Sequence, residues 1–553
     1  MGAEVYHRPM RLTTGGLALA ALLPLAGAAS PAAQRRPLPA IVFVSRKASP
    51  AAQAGAIPGL GPDDRVLAPG GRLMLREGGG PLARVRELLP AGTFHDASDP
   101  SVSPDGRRLA FAATVAPDSA WRIWLVDLDG TGLTRVTGPD TRPGAARCDD
   151  LDPCWVNGSI LCFASTRYAQ VAQYGGLPVT NLFLVRLPGG APVRITSERN
   201  GAEEPAMDVR HGTLVFARWW HNRYLASDEA SGLTTDPGKA VPADTVNLWH
   251  AMEIALDGPE AWTERLACGA PASRLASMAY QPAVLADGSI VGVYGANPGL
   301  SPASGGTGLQ RFSPRLTAGR RLAGTIVDPA SRAGYGSPEG LASPSACSPA
   351  GLPDGRILFA YDPGGRGDFG LYVMEADGGD LKRVLDLPGT LELDPAPVTP
   401  WTRAPRSLRL PADARPAAPF ATLEQALRAP RRFRFLDLDV FAKPPAGRGL
   451  PEGPPRVPGA RIRFYATLAR PAAAGGDTVA LVREAAVGRG GRVDEDGLPA
   501  GLPMFEQIVD PAGRVLRSAH GPAHVPGLNA SAAGLVSRCI GCHTGHSTRL
   551  GRP

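Results

Sequence analysis

Asp99-Pro-Ser-Val-Ser-Pro-Asp-Gly-Arg-Arg-Leu-Ala-Phe-Ala-Ala113, followed by Trp121-Arg-Ile-Trp-Leu-Val-Asp-Leu-Asp-Gly130 and Leu133-Thr-Arg-Val-Thr137, is the stretch that decides the fold. Asp-Pro opens a strand, Pro104-Asp105-Gly106 makes a tight turn, and Leu109 and Phe111 alternate onto the buried side of the returning strand. Ile123 and Leu125 repeat that alternation before a second Asp-Gly turn, and a last short strand completes the unit.

The same order recurs along the chain. Asp152-Pro-Cys-Trp-Val-Asn-Gly-Ser-Ile-Leu-Cys-Phe-Ala-Ser-Thr-Arg167 precedes Asn181-Leu-Phe-Leu-Val-Arg186. Glu204-Pro-Ala-Met207 leads to Thr213-Leu-Val-Phe-Ala217 and Val246-Asn-Leu-Trp249. Further copies start at Gln281-Pro282 and at Leu352-Pro-Asp-Gly-Arg-Ile-Leu-Phe-Ala-Tyr361, and an imperfect one runs from Ile41-Val-Phe-Val-Ser45 to Arg72-Leu-Met-Leu-Arg76. A four-stranded unit of this kind cannot bury both faces alone, whereas six arranged radially close a ring. The expectation is an all-β chain with a six-bladed β-propeller over residues 38–400. The Asp-Pro…Pro-Asp-Gly units resemble the blades of TolB-type periplasmic propellers.

Residues 401–430 are rich in Pro, Ala and Arg and read as a linker with one short helical stretch, Leu423 to Arg428. In residues 431–553, alternation over Phe433–Phe441, Arg461–Leu468 and Thr478–Glu484, then around Pro503–Leu516, indicates a small β-sandwich-like module whose last strand runs into a C-terminal segment with Cys539, Cys542 and His543. The chain has 553 residues, which calls for more than one core. Gly (68) and Pro (57) approach a quarter of them, in keeping with short strands and many turns.

The formal charge of +7 comes from scattered arginines interspersed with acids, so no nucleic-acid surface is expected. Arg8 and Arg11 ahead of the apolar Gly15–Ala29 run, with Ala26-Gly27-Ala28 as a cleavage signal, read as a signal peptide over residues 1–28. The apolar run is too short to span a membrane, and no later one is long enough. The mature chain is therefore expected in the periplasm or another extracytoplasmic space. Of seven cysteines, Cys148, Cys154, Cys162, Cys268 and Cys347 lie in the propeller region. Cys154 and Cys162 flank a turn, where either a bridge or two free thiols would fit.

Cys539-Ile-Gly-Cys542-His543 is the sharpest chemical signal. Two thiols at this spacing reach the two vinyl groups of one haem, and the adjacent imidazole falls over the iron, so one covalently bound c-type haem is expected. A zinc site would want a second Cys/His pair, and a thioredoxin-like motif a βαβ setting. For the iron's other face the candidates are His524, then His520, His546 and Met504; Gly521 and Pro522 prevent His520 and His524 from sharing a helix face. The propeller offers no catalytic constellation. Trp219-Trp220, His221 and His250 flank an insertion, residues 222–244, that reads as a binding loop, and Asp149, Asp150 and Asp152 are either cation ligands or turn caps.

A six-bladed propeller, then a β module containing Pro503-Met-Phe-Glu-Gln507, Gly521-Pro-Ala-His524 and the Cys-x-x-Cys-His motif, resembles the hydrazine synthase alpha-subunit family, in particular its middle-domain-containing proteins. The resemblance implies that Cys539 and Cys542 hold the middle-domain haem and that His543 is the motif histidine. The sequence has one such motif where the family has a second haem domain, and Ser547 stands near the place of the family's tyrosine iron ligand. The expected function is electron transfer with a redox partner protein or another envelope subunit. The alternatives are a redox enzyme subunit with open-coordination haem acting on a small nitrogen or oxygen species, and a propeller that binds or senses an envelope component.

Overall fold

The computed structural model describes residues 37–47, 70–80, 82–140, 147–170, 172, 177–226, 245–257, 261–262, 264–268, 278–295, 307–313, 319–322, 344–402, 408, 410, 420, 422–429, 431–442, 454–468, 478–502, 504–518, 521–522, 524–525, 533–539 and 541. The signal-peptide residues, the 227–244 part of the fourth-blade insertion, His520, Cys542, His543 and His546 lie outside them.

Six antiparallel units of four strands form the propeller. Blade II is the quoted stretch: Asp96–Val102, Arg108–Thr114, Arg122–Asp127 and Thr134–Arg135 pair in sequence order. Blades III to VI follow the same pattern with inner strands Asp150–Asn157, Ala202–Asp208, Tyr280–Val284 and Ser345–Gly351. Blade I is composite. Its inner strand, Thr390–Pro397, pairs with Ile41–Lys47, which continues to Arg72–Arg76 and Val85–Glu87. Joining the two ends of the propeller sequence within one blade supplies the last strand by hydrogen bonding rather than by chain continuity. The apolar positions of the repeat form the inter-blade cores: Val42, Val44, Leu109 and Phe111 pack together between blades I and II, and Leu161, Phe163 and Trp155 between II and III.

The sequence places Asp-Pro at the start of each strand; the structure places it inside. Asp99 sits at the fourth position of its strand, at a bulge where the register slips between Ser98 and Ser101. The same slip recurs at the Asp152, Glu204, Gln281 and Ser348 positions. Proline has no N–H to give the ladder, so the strand leaves its partner there for two residues instead of ending.

Past blade I the chain crosses the turn of blade II, where the Trp401 N–H donates to the Pro104 carbonyl at 2.8 Å. Leu408 and Leu410 pack into the core between blades III and IV. The helix α1, Leu423–Arg428, forms as expected, with Thr422 as its N-cap accepting from the Gln425 N–H. The module is two sheets face to face. One orders Val493–Pro499, Arg432–Asp437 and Val536–Cys539; the other orders Thr478–Ala486, Arg461–Leu468, Met504–Val509 and His524–Val525. Phe433 and Phe435 of the first sheet meet Phe464, Ile462, Met504 and Ile508 of the second in one core, with Phe435 edge-on to Phe464. The final strand pairs in parallel with the first strand of the module.

Candidate functional site

Two places on this scaffold gather polar groups with geometry beyond ordinary surface packing. The first is the propeller channel. Asp99, Asp152, Glu204, Gln281, Ser348 and Asp394, one from each inner strand, all adopt left-handed backbone conformations with φ between 45° and 55°. Each precedes a proline. At the Asp99, Asp152, Glu204 and Ser348 bulges a side chain of the neighbouring blade accepts the residue's own N–H, and Gln281 reaches its neighbour with its side-chain amide. Asp152 donates its N–H to Asp99 (3.5 Å) and Glu204 to Asp152 (3.1 Å). The Gln281 amide donates to Glu204 (3.0 Å), and the Ser348 N–H to the Gln281 side-chain oxygen (2.8 Å). The Ser348 hydroxyl donates to Asp394 (2.7 Å), whose carboxylate also accepts the Asp99 N–H. A closed belt therefore runs once around the channel, through every blade.

The belt and its prolines line a cavity of 330 Å³ that Thr399 and Trp401 border. Burial, then the charges of Asp152 and Asp394, push the Asp99 carboxyl well above the usual carboxylate range. Glu204 is raised in the same way, by burial and then by Asp152, Asp99 and Asp394. Burial also raises Asp394, against the opposing Ser348 hydrogen bond. No set of three or more His, Cys, Asp or Glu side chains among the described residues has a metal-holding arrangement. The hydrogen bonds account for the belt as a structural clasp between blades.

This geometry divides the three aspartates Asp149, Asp150 and Asp152, which do not form a common cation site. Asp149 accepts the Trp121 N–H at 3.0 Å. Asp150 is fully buried and takes Arg167 at 2.5 Å, with Arg122 at 3.5 Å and the Ser165 hydroxyl at 2.7 Å. Only Asp152 reaches the channel. Sequence reading missed the belt because its members differ in type; the shared signal is the following proline in equivalent repeat positions.

His250 is a core residue, fully buried, with its Nδ1 accepting from Arg218 at 2.8 Å. Burial, then Arg218, holds it well below the usual histidine range, so the imidazole is neutral. Trp219 stacks on Trp249 within the core, and His221 lies on the same long strand, opposite Asn247. Cys154 and Cys162 are direct register partners, yet both are free and buried, and burial raises the Cys154 thiol to about 12. Cys148, Cys268 and Cys347 are also free and buried.

The second place is the end of the last strand. Cys539 terminates Val536–Cys539, directly beside Asp437 in the parallel register. Two residues on, Gly541 is buried with φ of 84°, and its N–H donates to Asp437 Oδ1 at 3.2 Å. Within the Cys-x-x-Cys-His motif, Gly541 is thus left-handed and its N–H is held by a buried carboxylate. A donor set of two thiols and an imidazole would fit one c-type haem. Leu535, just before the strand, packs against the core between blades III and IV, so the start of the final strand meets the propeller as well as its own sheet.

His524 lies opposite Gln507 on the neighbouring sheet. Gln507 is 3% exposed and its Oε1 has no hydrogen-bond partner among the described residues. Tyr465 and Phe505 stack next to it, ring centroids 5.4 Å apart. Met504 is committed to the apolar core of the module, with no exposed surface.

No protein-family model matches the sequence, and no curated protein matches it. Solved structures do. The chain resembles hydrazine synthase in fold. The match to Kuenenia stuttgartiensis hydrazine synthase has a TM-score of 0.64 at 16% identity and covers 92% of this chain and 69% of that one. A weaker match, to TolB from Acinetobacter baumannii, has a TM-score of 0.39 at 13% identity and covers 65% of this chain and 66% of that one. The hydrazine synthase match extends beyond the propeller through the β module. No helix among the described residues is long and apolar enough to cross a membrane.

Proposed function

We propose that this chain is an exported monohaem c-type cytochrome-like protein that transfers electrons, with the propeller as the platform for a redox partner or another envelope subunit. The observation that carries the reading is the Cys539–His543 motif on a strand end whose spacer glycine is held by buried Asp437. Cys539 and Cys542 would hold the haem and His543 would be its axial ligand, with His524 the first candidate for the opposite face and His520 and His546 behind it. Bound there, the haem would supply a one-electron iron couple. The protein's part is to fix the attachment loop, keep it against a packed sheet and present it beside the propeller.

Fold similarity to hydrazine synthase over 92% of the chain favours a second reading, a redox enzyme subunit acting on a small nitrogen or oxygen species through an open coordination site. The iron's coordination separates the two. The full chain, produced with a cytochrome c maturation system, is expected to show one covalent haem per chain, lost in the Cys539→Ala, Cys542→Ala double variant. A low-spin ferrous form that does not bind carbon monoxide supports electron transfer; a high-spin form that binds it readily supports the enzyme reading. Absence of covalent haem from the wild-type chain sinks both.

A further inference from the structure

We propose that Asp437 is the positioning residue for haem attachment: its buried carboxylate locks the Cys539–Cys542 loop by holding the Gly541 amide. The inference rests on the haem reading and assigns a role to a residue far from the motif.

Asp437 ends the middle strand of a three-stranded sheet, with Val493 beside it on one side and Cys539 on the other. It is fully buried. Its Oδ1 accepts two backbone N–H groups, from Asp439 at 2.9 Å and from Gly541 at 3.2 Å. The first bond turns the chain immediately after the strand; the second reaches 104 residues along the sequence into the motif. Asp439 is itself fixed, since its Oδ1 accepts the Phe441 N–H at 3.0 Å and its Oδ2 takes Arg456 at 2.7 Å. Gly491 packs so closely here that a Cβ on it would lie 1.9 Å from Asp439 Oδ1. Asp439, whose N–H donates to the carboxylate that meets Gly541, is therefore held in place by groups that do not belong to the motif.

A buried N–H at a left-handed glycine needs an acceptor, and a free Cys-x-x-Cys loop has none of its own to offer it. Without Asp437, the Gly541 amide would lose its acceptor, and the backbone between the two motif cysteines would lose that restraint. Covalent attachment requires both thiols to meet one porphyrin edge, so a loop held in one shape is attached more completely than a loop that wanders.

The test uses the full chain with three substitutions. Asp437→Asn keeps an acceptor oxygen for both N–H groups and is expected to retain haem content within about twofold of wild type. Asp437→Ala removes the acceptor and is expected to lose haem per folded chain by about fivefold or more. Gly541→Ala strains the loop at its positive φ, leaves the Asp437–Asp439 turn intact, and is expected to show the same loss with the cooperative thermal transition of the chain preserved. Wild-type haem content in both Asp437→Ala and Gly541→Ala would overturn the proposal, as would equal loss in Asp437→Asn and Asp437→Ala. Amide exchange at Gly541 in the haem-free chain gives an independent reading. Protection at least about tenfold lower in Asp437→Ala than in wild type supports the lock, and equal protection overturns it. If wild type carries no haem, the haem reading fails and the lock is judged on that exchange alone.

Discussion

Asp99 and Asp150 are both buried carboxylates on inner strands, and they meet opposite kinds of partner. Asp150 lies between two guanidinium groups, Arg167 at 2.5 Å and Arg122 at 3.5 Å, and also accepts the Ser165 hydroxyl. Removing it strands buried positive charge, so Asp150→Ala is expected to cost about 3–5 kcal/mol in denaturant unfolding. Asp149→Ala, which loses a bond to a single N–H, should cost about 1–2 kcal/mol. Asp99 instead faces Asp152, Glu204 and Asp394 around the channel, with Arg46 the cation that tempers it. Its folded-state pKa is raised, so the carboxyl is ionised more readily in the unfolded chain. The resulting penalty is absent below the unfolded carboxylate range, grows as pH rises towards the folded value, and is constant above it. Asp99→Asn keeps an acceptor for the Asp152 N–H and removes the charge. It should raise the melting temperature by a few degrees at pH 8 and by clearly less at pH 5, and a gain independent of pH would refute this account.

At the scale of strands and turns, the hairpins were legible because their determinants are local. Ser103-Pro-Asp-Gly106 carries its turn in four residues, and the structure shows Asp105 accepting the Arg107 N–H there. Leu109 and Phe111 declare their face by alternation alone, and both are fully buried. The Cys-x-x-Cys-His motif is also read from local spacing, and the haem it is expected to hold belongs to the proposed function. What escaped sequence reading depends on partners far along the chain. Asp99-Pro100 looks like a strand start, because a proline interrupts any ladder; only the neighbouring blade's carboxylate makes a mid-strand bulge tolerable. Asp437 has no local signature, and its meaning comes from the parallel pairing of Arg432–Asp437 with Val536–Cys539. The composite blade is a further case, because nothing within Ile41–Lys47 names Thr390–Pro397 as its partner. Those two strands should lose amide-exchange protection in one step. Protection that persists in Ile41–Lys47 after Thr390–Pro397 has opened would argue against a shared closing blade.

Across the whole molecule, the belt and the composite blade close the same ring at two radii, one by side chains around the channel and one by backbone pairing. Each left-handed belt residue carries a conformational penalty on the order of 1 kcal/mol, which its hydrogen bond to the next blade offsets. Closure on both levels gives the β module a rigid neighbour through Leu408, Leu410 and Leu535. The composite blade also sets an order of events during synthesis. Ile41-Val-Phe-Val44 is made before the other described strands of the propeller, and all four of these side chains are fully buried in the finished protein. Its inner partner is made only after the other five blades. Until then the nascent chain displays an apolar strand with an unsatisfied edge, the kind of surface that recruits holdase chaperones or seeds association between neighbouring chains. Ring closure therefore opens an interval of aggregation hazard when the propeller's first strand is made and ends it only when Thr390–Pro397 arrives.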